Sequence, residues 1–127
     1  MTKKILAVDD DPMIRGLLRE ILTAQGYEVI LADNGPAGLE ALQQNDLMEG
    51  LSLIILDVVM PGLTGLEVLT RVKEGNLAPS IPVIMLTGEA RTEDILDGYN
   101  KGADYYITKP FTRQQLMHGV TLVSETV

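Results

Sequence analysis

Several polar side chains follow directly after short apolar runs, at positions where they could do chemistry together. Carboxylates, a hydroxyl and an ammonium group gathered in one place suit phosphoryl transfer, because such a site works mainly by positioning and charge neutralisation. Parallel strands collect groups of this kind, since ligands bind beyond their carboxyl ends. The residues concerned are Asp9, Asp10, Asp11, Asp57, Thr87 and Lys109.

Three of these residues are adjacent in the segment "ILAVDDDP" (5–12), where like charges repel one another. Clustered carboxylates raise each other's pKa unless a cation joins them. Mg²⁺ is the cation we expect, because it binds few carboxylates, retains water ligands and is often completed by phosphate oxygens. Asp11 has a separate explanation, since it stands directly before Pro12 at the N-cap position of the next helix. Its carboxylate would accept backbone N–H groups and face the positive end of the helix dipole.

Five apolar runs alternate with segments of helical periodicity along the chain. Most runs are continuous and rich in Ile, Leu and Val, which is typical of strands that are covered on both faces. This order predicts an α/β fold with a five-stranded parallel sheet and helices on both faces. The runs are 5–8, 28–32, 51–57, 81–86 and 105–108.

Helix signals separate these runs, and the fourth helical segment (92–101) has the weakest pattern. Gly26 and Gly102 fit the position that follows a helix C-terminus, and Thr112 with Gln115 fits a capping box at the start of the last helix. Apolar stripes mark the other helices at Ile14, Leu17, Leu18, Ile21 and Leu22, at Ala37, Leu39 and Leu42, at Leu66, Leu69 and Val72, and at Leu116, Val120 and Val123.

The length and composition of the chain exclude several classes of protein. A chain of 127 residues is enough for one domain with a single core. The absence of cysteine excludes a disulfide scaffold and a thiolate metal site. A formal charge of −8 disfavours direct binding to nucleic acid or to an anionic membrane. No run reaches the length of a membrane span, and the N-terminal apolar stretch is too short for a signal peptide, so we expect a cytoplasmic protein without membrane insertion.

Four motifs give the chain a resemblance to a known family, the receiver domains of two-component response regulators. They are "VDDDP" (8–12), "LDVVMPGLTG" (56–65), "MLTGEA" (85–90) and "GADYYITKPF" (102–111), in the family's order and spacing. The resemblance covers essentially the whole chain, which we interpret as one receiver domain over residues 1–127. It implies a flavodoxin-like, doubly wound sheet with strand order 2-1-3-4-5, as in single-domain chemotaxis receivers.

The resemblance also implies roles for individual residues. Asp57 would be the phosphoacceptor, taking a phosphoryl group from a phosphohistidine of a sensor histidine kinase or a histidine phosphotransfer protein. Asp10 would bind Mg²⁺ directly and Asp9 through water, while Asp57 and the backbone carbonyl of Val59 would complete the protein ligands. Lys109 would pair with Asp57 in the unphosphorylated state and with the phosphoryl group afterwards.

A switch pair follows from the same resemblance. The Thr87 hydroxyl would turn toward a phosphoryl oxygen, and Tyr106 would move inward into the space released. The surface formed by the fourth helix, fifth strand and fifth helix would then bind a downstream protein effector. The family implies a cis bond at Lys109–Pro110 and a phosphoacceptor that supports its own phosphorylation and dephosphorylation, not an enzyme.

Some positions depart from the family's common pattern. Val59 is apolar where many relatives carry a polar residue, and with Glu89 it flanks the route by which water would reach an acyl phosphate. We therefore expect Val59 to prolong the phosphorylated state. Tyr99 and Tyr105 could mark a partner surface or simply pack, while His118 is interpreted as a surface residue of the last helix.

Three other functions remain open on the sequence alone. A haloacid-dehalogenase-like phosphatase also carries Asp-x-Asp after a first strand, but it continues with Gly-Thr where this chain has Pro12-Met13. A flavodoxin-type module would need a hydroxyl- and amide-rich phosphate loop in place of three aspartates. A degenerate receiver would act only as a binding module. Because the sequence ends at "LVSETV", we expect either a single-domain regulator or a receiver cut from a longer protein.

Overall fold

The computed structural model describes residues 3–75, 77–88 and 92–125, with side chains at 92–94 and 125 left aside. Five parallel strands form one sheet in the order β2-β1-β3-β4-β5, which confirms the fold class and the strand order. Within those ranges, no helix combines the length and apolar composition that a membrane crossing requires. The strands are β1 (Lys4–Val8), β2 (Glu28–Ala32), β3 (Leu51–Asp57), β4 (Val83–Thr87) and β5 (Tyr105–Thr108).

Helices connect successive strands, and one of them is absent from the sequence-based prediction. The extra helix is the single turn α3, which follows α2 directly and buries Leu47. A turn of this length carries too few apolar positions to produce a periodic pattern. The helices are α1 (Pro12–Ala24), α2 (Gly35–Ala41), α3 (Asn45–Met48), α4 (Gly65–Lys73), α5 (Thr92–Asn100) and α6 (Arg113–Glu125), so the predicted fourth and fifth helices are α5 and α6.

Each face of the sheet carries its own apolar cluster, because successive residues of a strand point to opposite faces. Leu6 and Ile54 contribute to a cluster with residues of α2 and α4, whereas Ile5 and Ile55 contribute to a cluster with residues of α1 and α6. The central strands are therefore buried on both sides, as their continuous apolar runs predict. The helix residues that fill the second cluster are Leu18, Ile21, Leu22, Leu116, Val120 and Val123.

Local signals end and begin the helices where the sequence placed them. Gly26 and Gly102 have positive φ angles of 94° and 110°, a conformation that favours glycine after a helix. At the start of α6, the Thr112 backbone N–H donates to Gln115 Oε1 at 2.9 Å and the Gln115 N–H donates to Thr112 Oγ1 at 3.0 Å. This reciprocal pair is the predicted capping box.

Candidate functional site

The sequence-predicted polar residues meet at the carboxyl ends of the strands. The chain leaves β1 for β2 on one side and returns to β3 on the other, so β1 and β3 are neighbours at the point where strand order reverses. Ligands bind at this point in open α/β sheets. Asp9 follows β1, Asp57 ends β3, Thr87 ends β4 and Lys109 follows β5. All four lie on the same rim of the sheet.

Hydrogen bonds fix both the backbone and the side chain of Asp9. Its side chain is fully buried, at 0% exposure. Its backbone N–H donates to the Ala32 carbonyl at 3.1 Å, and its own carbonyl accepts from Arg15 Nη1 at 2.9 Å. Its carboxylate oxygen Oδ1 accepts the Asp11 backbone N–H at 2.9 Å. The carboxylate is therefore fixed in direction before any ligand arrives.

Lys109 bridges the two buried carboxylates. Its Nζ lies 2.8 Å from Asp9 Oδ2 and 3.2 Å from Asp57 Oδ1. Burial acts to lower the pKa of Lys109, but the hydrogen bond to Asp9 and the negative charges of Asp57 and Asp9 outweigh it, so the pKa is raised. Lys109 stays protonated and neutralises part of the charge of the two carboxylates. The Lys109–Pro110 peptide bond is cis, as the resemblance implied.

The pKa of Asp57 is raised by its surroundings. Burial and then the negative charge of Asp9 raise its pKa from 3.8 to about 6, against the opposing effect of Lys109. The carboxylate is only 4% exposed. A buried carboxylate with a raised pKa at this rim is a candidate functional group, because burial and like charges are how proteins tune reactive side chains.

The acidic residues fit a divalent cation with oxygen ligands. Asp9, Asp10 and Asp57 each offer one carboxylate oxygen, and these oxygens lie within 4.8 Å of one another. The buried Oδ2 of Asp9 is contacted by Lys109 Nζ at 2.8 Å. An ionised carboxylate oxygen has more than one lone pair, so this oxygen can accept a further positive partner besides the ammonium group. Asp10 is exposed, which leaves an approach from solvent.

Asp11 is a helix cap, as predicted. Its Oδ1 accepts the backbone N–H of Met13 at 2.9 Å, and Pro12 is the first residue of α1. The carboxylate is exposed, and it is not a member of the oxygen cluster at the rim. The three adjacent aspartates therefore separate into a buried residue, an exposed rim residue and a cap.

The start of α4 also approaches the site. Its residues Thr64, Gly65 and Glu67 have no role in the sequence-based prediction. A Cβ at Gly65 would lie 2.0 Å from the Asp57 carbonyl oxygen, so only glycine permits this approach. Thr64 and Glu67 form a complete capping box at the same helix start. The S/T-x-x-E spacing was readable in "TGLE" (64–67), but the close approach of Gly65 depends on the packing of α4 against β3.

The remaining predicted residues lie on the rim or on one side of it. Thr87 is 4% exposed, and its carbonyl accepts the Lys109 N–H at 2.7 Å. The Val59 N–H donates to Asp57 Oδ1 over a long 3.4 Å, while its side chain is 73% exposed. Tyr106 is half-buried on β5 beside α5. Glu89, the second residue expected to flank the water route, lies outside the described residues.

A family model described as the response regulator receiver domain matches residues 5–121 of the chain. The chain belongs to this family. The match covers the four motifs and all the rim residues, and it decides against the phosphatase and flavodoxin-type hypotheses. Receiver domains interact with histidine kinases and effectors as parts of two-component systems.

Individual relatives support the same assignment. The chain is 37% identical over 116 residues to an uncharacterized transcriptional regulatory protein, YrkP, of Bacillus subtilis (strain 168), covering 91% of this chain and 47% of that protein. It is 36% identical over 115 residues to the phosphate regulon transcriptional regulatory protein PhoB of Pseudomonas aeruginosa, covering 91% and 48%. The receiver chain thus spans about half the length of these curated relatives.

Solved receiver structures superpose over nearly the whole chain. A CheY-like receiver domain protein from Methanospirillum hungatei JF-1 has a TM-score of 0.89 at 32% identity, covering 99% of this chain and 96% of that one. The chemotaxis protein CheY4 of Vibrio cholerae has a TM-score of 0.87 at 33% identity, covering 97% and 99%. The fold of this receiver domain is therefore shared with chemotaxis-type receivers.

Proposed function

We propose that this receiver domain accepts a phosphoryl group on Asp57 from a phosphohistidine of a sensor histidine kinase or a histidine phosphotransfer protein. The observation that supports this most directly is the position of Asp57, a buried carboxylate at the carboxyl end of β3 with Lys109 Nζ at 3.2 Å and Asp9 beside it. A nucleophile, a fixed cation and a second carboxylate thus lie together at one rim of the sheet.

In the proposed step, a carboxylate oxygen of Asp57 forms a bond to phosphorus while the bond from phosphorus to the imidazole nitrogen breaks. The nitrogen keeps that electron pair, and the product on this chain is an acyl phosphate. Lys109 and the Val59 N–H both contact Asp57 Oδ1, which holds the carboxylate in one orientation. Positioning and charge neutralisation account for most of the catalysis in phosphoryl transfer.

Mg²⁺ is the cofactor we propose, held by the carboxylates of Asp9, Asp10 and Asp57 together with the backbone carbonyl of Val59. When bound, it would neutralise charge on the phosphoryl oxygens and on the carboxylates. The fit rests on the close set of carboxylate oxygens and on the buried Asp9, whose Oδ2 can accept a second positive partner besides Lys109. Lys109 would then leave Asp57 and follow the phosphoryl group.

The output is a change in the surface formed by α5, β5 and α6, with Thr87 and Tyr106 as the switch pair. This surface has apolar groups in contact with solvent: Leu96 is 57% exposed, Tyr99 41% and Leu122 40%. A cavity of about 470 Å³ between β5 and α6 is lined by Tyr105, Gln115 and His118, among others. The elements of this surface thus carry both exposed apolar side chains and a cavity, and these features suit the docking of a protein effector.

Phosphate incorporation tests the proposal. The wild-type chain is incubated with acetyl phosphate and Mg²⁺, and protein-bound phosphate that hydroxylamine releases, as it does from an acyl phosphate, is measured. We expect Asp57→Asn to abolish incorporation. The matched control is Asp46→Asn, because the Asp46 carbonyl accepts from Lys4 at the opposite end of the sheet. Equal incorporation in Asp57→Asn and wild type would contradict the proposal.

A Mg²⁺ titration followed by backbone NMR tests the alternative of a degenerate receiver. We expect shifts centred on residues 9, 10 and 57. A titration without shifts at these residues would favour a binding module that has lost the phosphorylation chemistry.

A further inference from the structure

Gly98 stands where a side chain would collide with Tyr106. A Cβ built on Gly98 would lie 1.7 Å from the Tyr106 hydroxyl oxygen, 2.7 Å from Cζ and 3.0 Å from Cε1. These three Tyr106 atoms are the nearest neighbours that such a Cβ would meet. The hydroxyl end of the ring therefore occupies the volume that every other amino acid would fill at position 98.

The backbone of α5 gives no reason for a glycine at this position. Gly98 lies within the helix, and its φ is outside the left-handed range in which glycine is favoured. Glycine in a helix interior lowers the folding equilibrium about fivefold relative to alanine. This loss of stability is offset if the absence of a side chain makes room for a neighbouring residue, and the residue that fills the space is Tyr106.

The surroundings hold both partners in place. The Gly98 carbonyl accepts the backbone N–H of Ala103 at 2.9 Å, which ties this turn of α5 to the segment leading into β5. The Tyr106 ring packs against the apolar cluster on the α4 side of the sheet. The Tyr99 ring lies 5.3 Å away, centroid to centroid, at an interplanar angle of 58°. Helix and ring thus meet on a surface made by Gly98 and Tyr99, which we call the Tyr106 seat.

We propose that the Tyr106 seat is the device that couples the ring position of Tyr106 to α5, with Gly98 as its positioning residue. The ring is half-buried against core residues when it occupies the seat. An alanine at position 98 is compatible only with an unseated ring. The link to phosphorylation rests on the proposed function, whereas the seat itself does not.

Stability measurements test the seat without any phosphorylation chemistry. Gly98→Ala should lower the folding equilibrium constant of the wild-type chain by about tenfold or more, because the clash outweighs the gain in helix propensity. In a Tyr106→Val background the same change should raise the constant about fivefold, because only the helix gain remains. In a Tyr106→Phe background the effect should be intermediate, since Cζ remains within 2.7 Å.

Gly16 provides the matched control for helix propensity. It lies within α1, and a Cβ there would meet nothing within 4 Å. Gly16→Ala should raise the folding equilibrium constant about fivefold in every Tyr106 background. If Gly98→Ala behaved like Gly16→Ala in the wild-type chain, or had the same effect in the Tyr106 and Tyr106→Val backgrounds, the seat would be refuted.

Beryllofluoride, a mimic of the phosphoryl group, tests the coupling. If it stabilises the seated state, Gly98→Ala should weaken its binding in the presence of Mg²⁺ about tenfold, because a ligand shifts an equilibrium only through its preference for one state. Unchanged affinity together with the sign reversal in stability would reduce the seat to a packing feature and overturn the coupling. Failure of the wild-type chain to bind beryllofluoride at all would instead count against the proposed function.

Discussion

Lys109 lies closer to Asp9 than to Asp57, with Nζ 2.8 Å from Asp9 Oδ2 and 3.2 Å from Asp57 Oδ1. The family resemblance implied a pair with Asp57, and the structure adds the shorter contact to Asp9. One ammonium group therefore serves two carboxylates that are both nearly inaccessible to water. The charge of each buried carboxylate is therefore stabilised by Lys109 more strongly than it would be in an exposed ion pair.

We expect Lys109→Met to lower the free energy of unfolding at neutral pH by about 3 kcal/mol, because it leaves two buried negative charges without their cation. The loss should shrink as the pH is lowered and Asp57 becomes protonated. Chemical denaturation across a pH series measures this. Lys101→Met is the control, since Lys101 pairs with Asp97 at 3.6 Å with both side chains exposed, and its change should stay within about 0.5 kcal/mol. Similar losses in the two variants would contradict the bridging role.

Asp57→Asn should stabilise the metal-free protein at neutral pH. The folded-state pKa of Asp57 is about 6 against 3.8 for the free group, so the folded state holds more protons between these values. Stability contributed by this group is therefore present at low pH and falls as the pH rises through that window. Removing the charge should raise the free energy of unfolding by about 3 kcal/mol at neutral pH.

The gain in Asp57→Asn should disappear as the pH falls toward 3.8, where the aspartate is itself protonated. It should also shrink when Mg²⁺ is added, since the ion stabilises the wild-type chain by mass action and the variant lacks one ligand. Unfolding curves with and without Mg²⁺ measure both effects. A gain that is independent of pH would show that burial of the Asp57 charge is not its cause.

The three adjacent aspartates should separate on substitution. Asp11→Ser should retain Mg²⁺ affinity, phosphorylation and stability, because serine is also a good N-cap residue. Asp11→Ala should cost about 1 kcal/mol of stability without a change in Mg²⁺ affinity. Asp10→Ala should lose Mg²⁺ affinity and phosphorylation together. Calorimetric Mg²⁺ titration of the three variants measures this, and weak Mg²⁺ binding by Asp11→Ser would show that all three carboxylates serve the ion.

Val59→Asn should shorten the lifetime of the phosphorylated state. The Val59 side chain is 73% exposed, two residues after the proposed phosphoacceptor Asp57, and its N–H contacts the Asp57 carboxylate. An apolar side chain there would keep attacking water away, whereas an amide could orient it. Release of inorganic phosphate from labelled protein gives the rate, and Val59→Leu, which stays apolar, should match wild type. An unchanged rate in Val59→Asn would contradict the prediction.

Local patterns in the sequence determined the order of the elements and the start of several helices. Asp11 before Pro12 predicted the cap of α1, and Thr112 with Gln115 predicted the cap of α6, because capping needs only residues within one turn. The apolar runs predicted the five strands, since burial on both faces leaves a continuous apolar signature. The ends of those runs also predicted which residues share a rim, while the strand order came from the family resemblance.

Only the tertiary structure decided how those rim residues differ from one another. Asp9 and Asp10 are neighbours of identical type, yet Asp9 is fully buried and Asp10 is exposed. The difference arises because Asp9 directly follows β1, which is packed between β2 and β3. Lys109 contacts two carboxylates from other strand ends, and Tyr106 of β5 packs on Gly98 of α5. Both contacts join residues of different elements. Such contacts depend on distances across the sheet, which no pattern within one element records.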